Sequence, residues 1–249
     1  MDAYTGFASV YDTFMEETPY DKWCGRIVKI FKDNGIKNGL VCELGAGTGE
    51  MTRRLRDKGF DMIGVDNSEE MLAVARSKEE ASGTDILYLC QDMREFELYG
   101  TVRGIVSVCD SINYITDTDD LTTVFRLVNN YLDPGGVFVF DFNTRHKYRD
   151  VIGDTTIAES REDESFIWEN SYYPDENINE YNITFFVREG ELFKRFSETH
   201  IQRGYTLSEI KKCIKAAGLV FVSAEDSDTG KAPTRTSERI LVTARECGK

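Results

Sequence analysis

The chain has 249 residues, which suits one α/β domain with a substantial core and a small insertion and is short for two full domains. Its formal charge of −14, from 44 acidic against 30 basic residues, disfavours a polyanionic partner such as RNA or DNA. The sequence has neither an N-terminal apolar signal segment nor a run of 18 apolar residues, so we expect a soluble, cytoplasmic protein without a membrane partner.

Strands and helices alternate through the first part of the chain. Pro19 is typical of a helix start and Gly35 of a helix end, so a helix is predicted between them. Apolar strands are then predicted at residues 40–44, 60–66, 86–90, 104–109 and 137–142. Helices are predicted at residues 51–58, after Ser68, and at 121–132. Near-continuous apolar strands that alternate with helices predict a parallel sheet covered on both faces.

The pattern changes between residues 145 and 202, where aromatic-rich segments alternate apolar and polar positions. These segments are residues 165–173, 179–187 and 191–201, with turn sequences at 174–177 and 188–190. They predict a small antiparallel sheet inserted after the fifth strand. The α/β pattern resumes with a helix at 208–217 and strands at 219–225 and 239–244. We therefore assign residues 1–144 and 203–249 to the main domain and 145–202 to an inserted subdomain.

The six cysteines are scattered along the chain without a C-x-x-C pair. Cys42, Cys90 and Cys109 lie in apolar stretches that read as strands, which predicts reduced thiols in the core. No cysteine–histidine spacing typical of a metal site occurs, so no metal is expected.

Residues 41–50 combine a short apolar run, an acidic residue and glycines at alternate positions, Gly45, Gly47 and Gly49. Glycines at a strand-to-helix junction let the backbone turn sharply and approach a ligand closely. A dinucleotide fold requires G-x-G-x-x-G, but here the third glycine comes one residue early and Glu50 replaces the small residue. A carboxylate there would face a pyrophosphate at the helix end that favours anions. The pattern therefore disfavours NAD and FAD and favours an adenosine cofactor without phosphates.

The pattern Glu43-x-Gly45-x-Gly47-x-Gly49 resembles motif I of the class I S-adenosylmethionine-dependent methyltransferases, and the resemblance covers residues 1–144 and 203–249. It implies a doubly wound, Rossmann-like α/β fold whose seven-stranded, mostly parallel sheet has an antiparallel last strand. It also implies S-adenosyl-L-methionine as the cofactor. The inserted antiparallel sheet resembles the lid of a bacterial, small-molecule-type branch of this family.

The resemblance assigns cofactor contacts to the loops after the first two strands. The residues that would surround the methionine and ribose parts are Glu43, Gly45, Ala46 and Gly47. Asp66, at the end of the second strand, would bind both ribose hydroxyls, although a carboxylate there could also serve only to cap the next helix. Asn67 and Met71 would lie near the adenine.

Two further loops carry cofactor positions of the same family. After the third strand, Asp92 would accept a hydrogen bond from the adenine amine and the backbone of Met93 would donate one to the ring, although an Asp at a strand end is commonly only a turn residue. After the fourth strand, Cys109 and Asp110 would lie where the methyl group meets the acceptor.

Asn113 and Tyr114 continue the segment after the fourth strand and are expected to contact the substrate. This segment lacks the Asn/Asp-Pro-Pro-Tyr signature of family members that methylate the amino groups of nucleic-acid bases. Together with the acidic charge, its absence makes a nucleic-acid substrate unlikely and favours a small-molecule substrate.

Aromatic residues near the N-terminus resemble the cap of small-molecule methyltransferases. Tyr11 in the first place, and Tyr4 and Trp23 after it, are expected to face the cofactor's sulfonium, because the face of an aromatic ring attracts cations. Tyr11 is also a candidate catalytic residue. The alternative is that these rings belong to the ordinary core, and it is strongest for Trp23.

Methyl transfer from a sulfonium mainly requires alignment, and a general base is optional. If a base is used, the two histidines of the chain, His146 and His200, are the natural candidates. Both are predicted at edges of the inserted sheet. Arg203 and Tyr205 follow His200 closely and could bind an anionic group of the substrate.

The sequence thus predicts a methyltransferase that moves a methyl group from S-adenosylmethionine to a nitrogen or oxygen of a small molecule by in-line displacement. The alternative is a protein that binds S-adenosylmethionine or S-adenosylhomocysteine without transferring the methyl group, as a sensor or assembly factor would. A nicotinamide-dependent oxidoreductase is disfavoured by Glu50. The sequence assigns neither an acceptor nor an oligomeric state.

Overall fold

The computed structural model describes residues 8–83 and 85–249, and it contains two separate sheets. The strands are β1 (Gly39–Leu44), β2 (Phe60–Asp66), β3 (Leu87–Cys90), β4 (Val102–Ser107), β5 (Leu132–Asn143), β6 (Thr156–Ser160), β7 (Glu164–Tyr173), β8 (Ile178–Glu189), β9 (Leu192–Arg203), β10 (Val220–Asp226) and β11 (Arg239–Arg245). The helices are α1 (Ala8–Phe14), α2 (Tyr20–Asp33), α3 (Glu50–Asp57), α4 (Glu69–Ser82), α5 (Thr118–Tyr131) and α6 (Leu207–Ala216).

The larger sheet has seven strands in the order β10-β11-β5-β4-β1-β2-β3. Strand β11 runs antiparallel to both of its neighbours, and the ladders joining β5, β4, β1, β2 and β3 are parallel. This confirms the predicted doubly wound fold with an antiparallel last strand. The carboxyl ends of the parallel strands meet at one edge of this sheet, and the strand order reverses between β1 and β4, which is where ligands bind in such folds.

Local sequence signals place the helix ends. Ser68 caps α4 by accepting a hydrogen bond from the backbone of Met71, and Asp117 caps α5 in the same way. Thr206 and Glu209 form a capping box at the start of α6. Residues 133–136, whose Asp-Pro-Gly-Gly sequence is typical of a turn, lie inside β5 between the pairs Val102–Leu132 and Gly104–Val137, so they bulge out of the ladder.

The smaller sheet is antiparallel, with the order β6-β7-β8-β9, and confirms the predicted inserted sheet. Its first strand, β6, was not predicted, because all of its residues are exposed and it therefore lacks an apolar alternation. Before the first of these strands, Lys147–Ile152 forms a π-helical turn that the sequence does not indicate. Such turns are rare and carry little sequence signal.

The core lies on both faces of the larger sheet. One face packs Phe138 and Phe140 against Phe125 of α5, and the other packs Phe31 of α2 against Phe60. Cys90 is exposed, contrary to the expectation of a core thiol, whereas Cys42 is fully buried. Within residues 8–83 and 85–249, no helix has the length and apolar character needed to cross a membrane.

Candidate active site

The loop between β1 and α3 is held to the end of β2 by hydrogen bonds. The backbone N–H groups of Gly45 and Ala46 donate to the carbonyl oxygen of Val65. The N–H of Gly47 donates to Oδ2 of Asp66 at 2.8 Å, and the N–H of Ser68 donates to Oδ1 at 2.9 Å. Burial raises the pKa of Asp66, while these N–H groups oppose the rise. The glycine loop and the ribose-binding candidate therefore form one unit.

Glu43 lies beneath this loop and is almost fully buried. It accepts a hydrogen bond from the hydroxyl of Thr52 on α3, and burial raises its pKa to about 8. Its neighbour in the motif, Glu50, is bonded instead to Lys78 at 2.8 Å and to Arg54. The two acidic residues thus differ: burial favours the protonated form of Glu43, whereas Glu50 is ion-paired.

A cavity of about 280 Å³ opens between this loop and the inner face of the smaller sheet. Eleven of the candidate site residues line it: Tyr11, Glu43, Gly45, Ala46, Gly47, Asp66, Met71, Cys109, Asp110, Tyr114 and His200. They come from α1, strand β1 and the loop after it, the end of β2, helix α4, the segment after β4, and strand β9. The fold therefore brings together side chains that are far apart in the sequence.

The loop after β4 has a strained backbone where it meets the cavity. Cys109 and Asp110 have φ angles of 60° and 54°, in the left-handed region that residues other than glycine rarely adopt. The buried carboxylate of Asp141 accepts hydrogen bonds from both of their N–H groups, at 3.3 and 2.8 Å. Asp141 thereby holds this loop in its unusual shape.

Arg239, the first residue of β11, bridges two of these carboxylates. Its guanidinium is 2.6 Å from Oδ1 of Asp110 and 3.1 Å from Oδ2 of Asp141, and it lies over the ring of Trp23. Burial raises the pKa of Asp141, whereas Arg239 lowers it. Arg239 is not among the residues that the sequence motifs indicate, although the first residue of an antiparallel last strand must lie at the carboxyl edge of the sheet.

A second polar chain continues from Asp110 across the cavity wall. Gln202 of β9 donates to Asp110 at 2.8 Å and accepts from the hydroxyl of Tyr148 at 2.6 Å. Asn143 donates to the same hydroxyl and accepts from the ammonium group of Lys147. Lys147 and Tyr148 belong to the π-helical turn, and no sequence signal placed them here.

The smaller sheet contributes a cluster of rings to the roof of the cavity. Nδ1 of His200 lies 3.0 Å from the hydroxyl of Tyr114, which lies 3.1 Å from the hydroxyl of Tyr181. Tyr181 stacks on His200 with ring centroids 4.9 Å apart and contacts Trp168 at 5.1 Å. Tyr181 and Trp168 were missed, although their inward positions follow from the strand alternation.

The N-terminal aromatics are divided between the cavity and its surroundings. Tyr11 lines the cavity together with Tyr20, whose side chain hydrogen-bonds both Tyr11 and Cys109. The structure places Trp23 outside the cavity lining, packed against Tyr20 and Arg239, so its position fits the alternative of a core residue. Tyr4 lies outside the described residues.

Of the predicted adenine contacts, Met71 lines the main cavity, whereas Asn67, Asp92 and Met93 lie in and near a separate, more open pocket. Asn67 and Asp92 line this pocket. The carboxylate of Asp92 is paired with Arg94, which also donates its backbone N–H to it. Met93 packs against the core, with its terminal methyl carbon 3.8 Å from the position of a Cβ added at Gly45. In this conformation Arg94 forms an ion pair with the carboxylate of Asp92, the group expected to bind the adenine amine.

The remaining candidates do not line the main cavity. His146 is bonded to Asp150 at 2.8 Å, outside it. Asn113 is fully buried and bonds the backbone of Asn143 and Arg203. Arg203 reaches the carbonyl of Thr116, and the hydroxyl of Tyr205 donates to the carbonyl of Ile115. In this structure these side chains bind other parts of the protein and do not reach the cavity. Strand ends and loops that look alike in sequence face different directions in the fold.

Comparisons with known proteins agree with this geometry. A methyltransferase-domain family model matches residues 41–136. YqeM of Bacillus subtilis (strain 168), whose name classes it with the methyltransferases, is 38% identical over 98% of this chain and 97% of its own. The crystal structure of an S-adenosylmethionine-dependent methyltransferase from Clostridium acetobutylicum ATCC 824 superposes with a TM-score of 0.89 at 32% identity, covering 98% of this chain and 99% of that one.

A more distant relative is a methyltransferase whose name states the molecule that it methylates. The dTDP-3-amino-3,4,6-trideoxy-alpha-D-glucopyranose N,N-dimethyltransferase of Streptomyces venezuelae is 24% identical over 90% of this chain and 94% of its own.

Proposed function

Since the chain belongs to the class I S-adenosylmethionine-dependent methyltransferases, we propose that it transfers the methyl group to a nitrogen or oxygen atom of a small molecule bound beneath the inserted sheet. The observation that carries this proposal is the cavity between the glycine loop and the smaller sheet, lined from both sides. A cavity of this size, set between two sheets, suits a small acceptor better than a polymer. The net charge of −14 also disfavours nucleic acid.

The residues of the glycine loop fit the cofactor. A Cβ added at Gly47 would meet no protein atom within 4 Å, so this backbone faces open space, and Asp66 is anchored beside it. We assign the methionine and ribose parts to the cavity formed by Gly45, Ala46, Gly47 and Asp66. Bound there, the cofactor supplies an activated methyl group, and the protein contributes alignment and exclusion of water.

We further propose that residues 145–202 act as a lid over the acceptor. The inner face of their sheet supplies Trp168, Tyr181, His200 and Gln202 to the cavity. The name of the Streptomyces venezuelae relative describes N-methylation of a dTDP-linked amino sugar. A small polar acceptor agrees with that name, but at 24% identity the name does not identify the acceptor of this chain.

Calorimetric titration and radiolabel transfer test the proposal in sequence. Titration with S-adenosylmethionine and S-adenosylhomocysteine should show binding, with NAD as the negative control. Transfer of the labelled methyl group is then measured into separate small-molecule, RNA and protein fractions of a bacterial lysate. We expect label in the small-molecule fraction. Label in RNA or protein alone would refute the acceptor class, and binding without any transfer would favour the sensor alternative.

A further inference from the structure

Three side chains on the roof of the cavity form a connected polar chain. The hydroxyl of Tyr114 lies 3.0 Å from Nδ1 of His200, and Nε2 of His200 lies 3.5 Å from Oε2 of Glu198. The side chains of His200 and Glu198 are only 1% and 4% exposed. Tyr114 and His200 line the cavity, whereas Glu198 is not part of its lining. The chain therefore leads from the cavity into the protein.

We propose that Tyr114, His200 and Glu198 form a proton relay for methyl transfer, in which Tyr114 takes the proton of the acceptor, His200 receives the proton of Tyr114, and Glu198 positions His200. The proposal rests on the proposed function, because it needs an acceptor that carries an N–H or O–H group. Tyr114 is the catalytic residue of the relay, and Glu198 is a positioning residue.

The geometry selects the histidine tautomer that a relay requires. A carboxylate near Nε2 favours the proton on that nitrogen, and the unprotonated Nδ1 then accepts from the hydroxyl of Tyr114. Glu198 and His200 are two positions apart on β9, so both face inward. Tyr181 pairs with His200 across the ladder and places its hydroxyl next to that of Tyr114. The sheet register thus assembles the relay.

The carboxylates in the cavity lining are already engaged, which leaves His200 as the better proton acceptor. Asp110 is bonded to Arg239 and Gln202, and Asp66 to two backbone N–H groups. Glu50 is ion-paired with Lys78, and the pKa of Glu43 is raised to about 8. A carboxylate paired with a cationic donor is a weak base, and a carboxyl group that already carries its proton cannot accept another.

The proton and electron balance of the step is simple. A lone pair of the acceptor nitrogen or oxygen forms a bond to the methyl carbon, while the carbon–sulfur bond breaks and leaves its electron pair on sulfur. The proton of the acceptor passes to the oxygen of Tyr114, and the phenolic proton passes to Nδ1 of His200. The resulting imidazolium faces the carboxylate of Glu198 and later releases its proton to water. No oxidant or further reactant is needed.

Nitrogen NMR tests the tautomer without any acceptor. The chain has two histidines, so a ¹⁵N-histidine-labelled sample gives two sets of ring signals, and the His146→Gln variant assigns the remaining set to His200. We expect His200 in its neutral form to carry its proton on Nε2. The preference should remain in Glu198→Gln, whose amide oxygen can still face Nε2, and should be lost in Glu198→Leu. A proton on Nδ1 in the wild-type protein would overturn the relay.

Single-turnover transfer to the ultrafiltered small-molecule fraction of a bacterial lysate tests the proton step. His200→Gln and Tyr114→Phe should each slow transfer by about 10²–10⁴-fold, the usual contribution of general acid–base catalysis, while S-adenosylmethionine affinity stays within about twofold. Glu198→Gln should slow transfer about tenfold, because the imidazolium loses its charge partner. The matched control is Glu169→Gln, the same change on an exposed residue of β7.

The outcomes separate the relay from the proposed function. If the wild-type protein transfers label and His200→Gln does so at the same rate, the relay is wrong and the proposed function stands. If Lys147→Met abolishes transfer while His200→Gln does not, the base is Lys147 and the relay is likewise wrong. If the wild-type protein labels no small molecule, the proposed function fails and the relay fails with it.

Discussion

The carboxylate of Asp66 accepts a hydrogen bond from the backbone N–H of Gly47 at 2.8 Å, although the two residues lie 19 positions apart in the chain. One oxygen of Asp66 thus holds the glycine loop, and the other holds the start of α4 through Ser68. A carboxylate has further lone pairs for a ligand. The residue assigned to the ribose therefore also shapes the loop that would surround the rest of the cofactor.

We expect Asp66→Ala to weaken S-adenosylmethionine binding by about 1.5–3 kcal/mol, because charge-assisted hydrogen bonds are lost and the Gly47 loop is released. Calorimetric titration measures the affinity, and circular dichroism checks that the variant is folded. Asp92→Ala is the matched comparison, since its carboxylate is already paired with Arg94. Unchanged affinity in a folded Asp66→Ala variant would contradict the ribose assignment.

Gly49 is one of two glycines of the motif, with Gly45, at which an added Cβ would clash with a side chain. Its φ is +79°, and an added Cβ would lie 2.4 Å from the hydroxyl oxygen of Tyr88 and 3.2 Å from Cβ of Ala75. We expect Gly49→Ala to lower the free energy of unfolding by about 2–4 kcal/mol, through backbone strain and the clash. Urea denaturation measures this free energy.

Two companion variants separate the strain from the clash. Gly47 also has a positive φ, but no atom lies within 4 Å of an added Cβ. Gly47→Ala should therefore lower the free energy of unfolding by only about 1–2 kcal/mol. Tyr88→Phe in the Gly49→Ala background removes the clashing hydroxyl and should recover part of the loss. Equal costs for the two alanine variants would show that the contact with Tyr88 is unimportant.

Glu43 should make the protein less stable as the pH rises. The unfolded chain loses this proton near the ordinary pKa of 4.5, whereas burial raises the pKa in the folded chain to about 8. The folded state therefore binds more protons between these values, so the contribution of Glu43 is present below about pH 4.5 and is lost as the pH rises to about 8. As the pH rises from about 4.5 to about 8, we expect the free energy of unfolding of Glu43→Gln to increase relative to that of the wild-type protein by up to a few kcal/mol.

Urea denaturation at about pH 5 and about pH 8 measures this difference. Glu50→Gln is the control, because burial raises the pKa of Glu50 but the bonds from Lys78 and Arg54 outweigh it, and the pKa is lowered overall. Its contribution is lost only as the pH falls through that lowered value, so the difference between this variant and the wild-type protein should stay constant over the window. A flat difference for Glu43→Gln would mean that Glu43 is ionised in the folded protein.

Removal of Arg239 should be costly, because it would leave the buried carboxylate of Asp141 and the partly exposed carboxylate of Asp110 side by side without their cation. We expect Arg239→Met to lower the free energy of unfolding by about 3–5 kcal/mol. Asp141→Asn in the same chain should restore part of this stability by removing one of the two charges. Arg76→Met, which breaks an exposed pair with Glu69, should cost less than about 1 kcal/mol. Similar values for both arginine variants would show that the buried bridge adds nothing to stability.

The sequence is sufficient to predict those structural features whose physical cause is local or periodic along the chain. Alternate glycines followed by Glu50 indicated the cofactor class, and apolar strands alternating with helices indicated the doubly wound sheet. Inward positions of the smaller sheet, such as His200, follow a period of two residues. The exposed strand β6 has no such period and was not predicted.

The two histidines show where sequence reasoning stops. Both were expected at edges of the inserted sheet, and nothing in their neighbouring residues distinguishes them. In the fold, His200 faces the cavity beside Tyr114, whereas His146 lies outside it and bonds Asp150. The difference depends on how two sheets pack, and contacts between distant segments leave no trace in local composition.

By itself the sequence determined the class of fold and the cofactor, because strand periodicity and the glycine motif are short-range consequences of backbone geometry. Only the tertiary structure decided which side chains share the cavity. Arg239 meets Asp110 across 129 positions and Gln202 meets it across 92, through strand order and sheet packing. Such contacts depend on the register of distant strands, so the environment that receives the acceptor emerges only when the chain is folded.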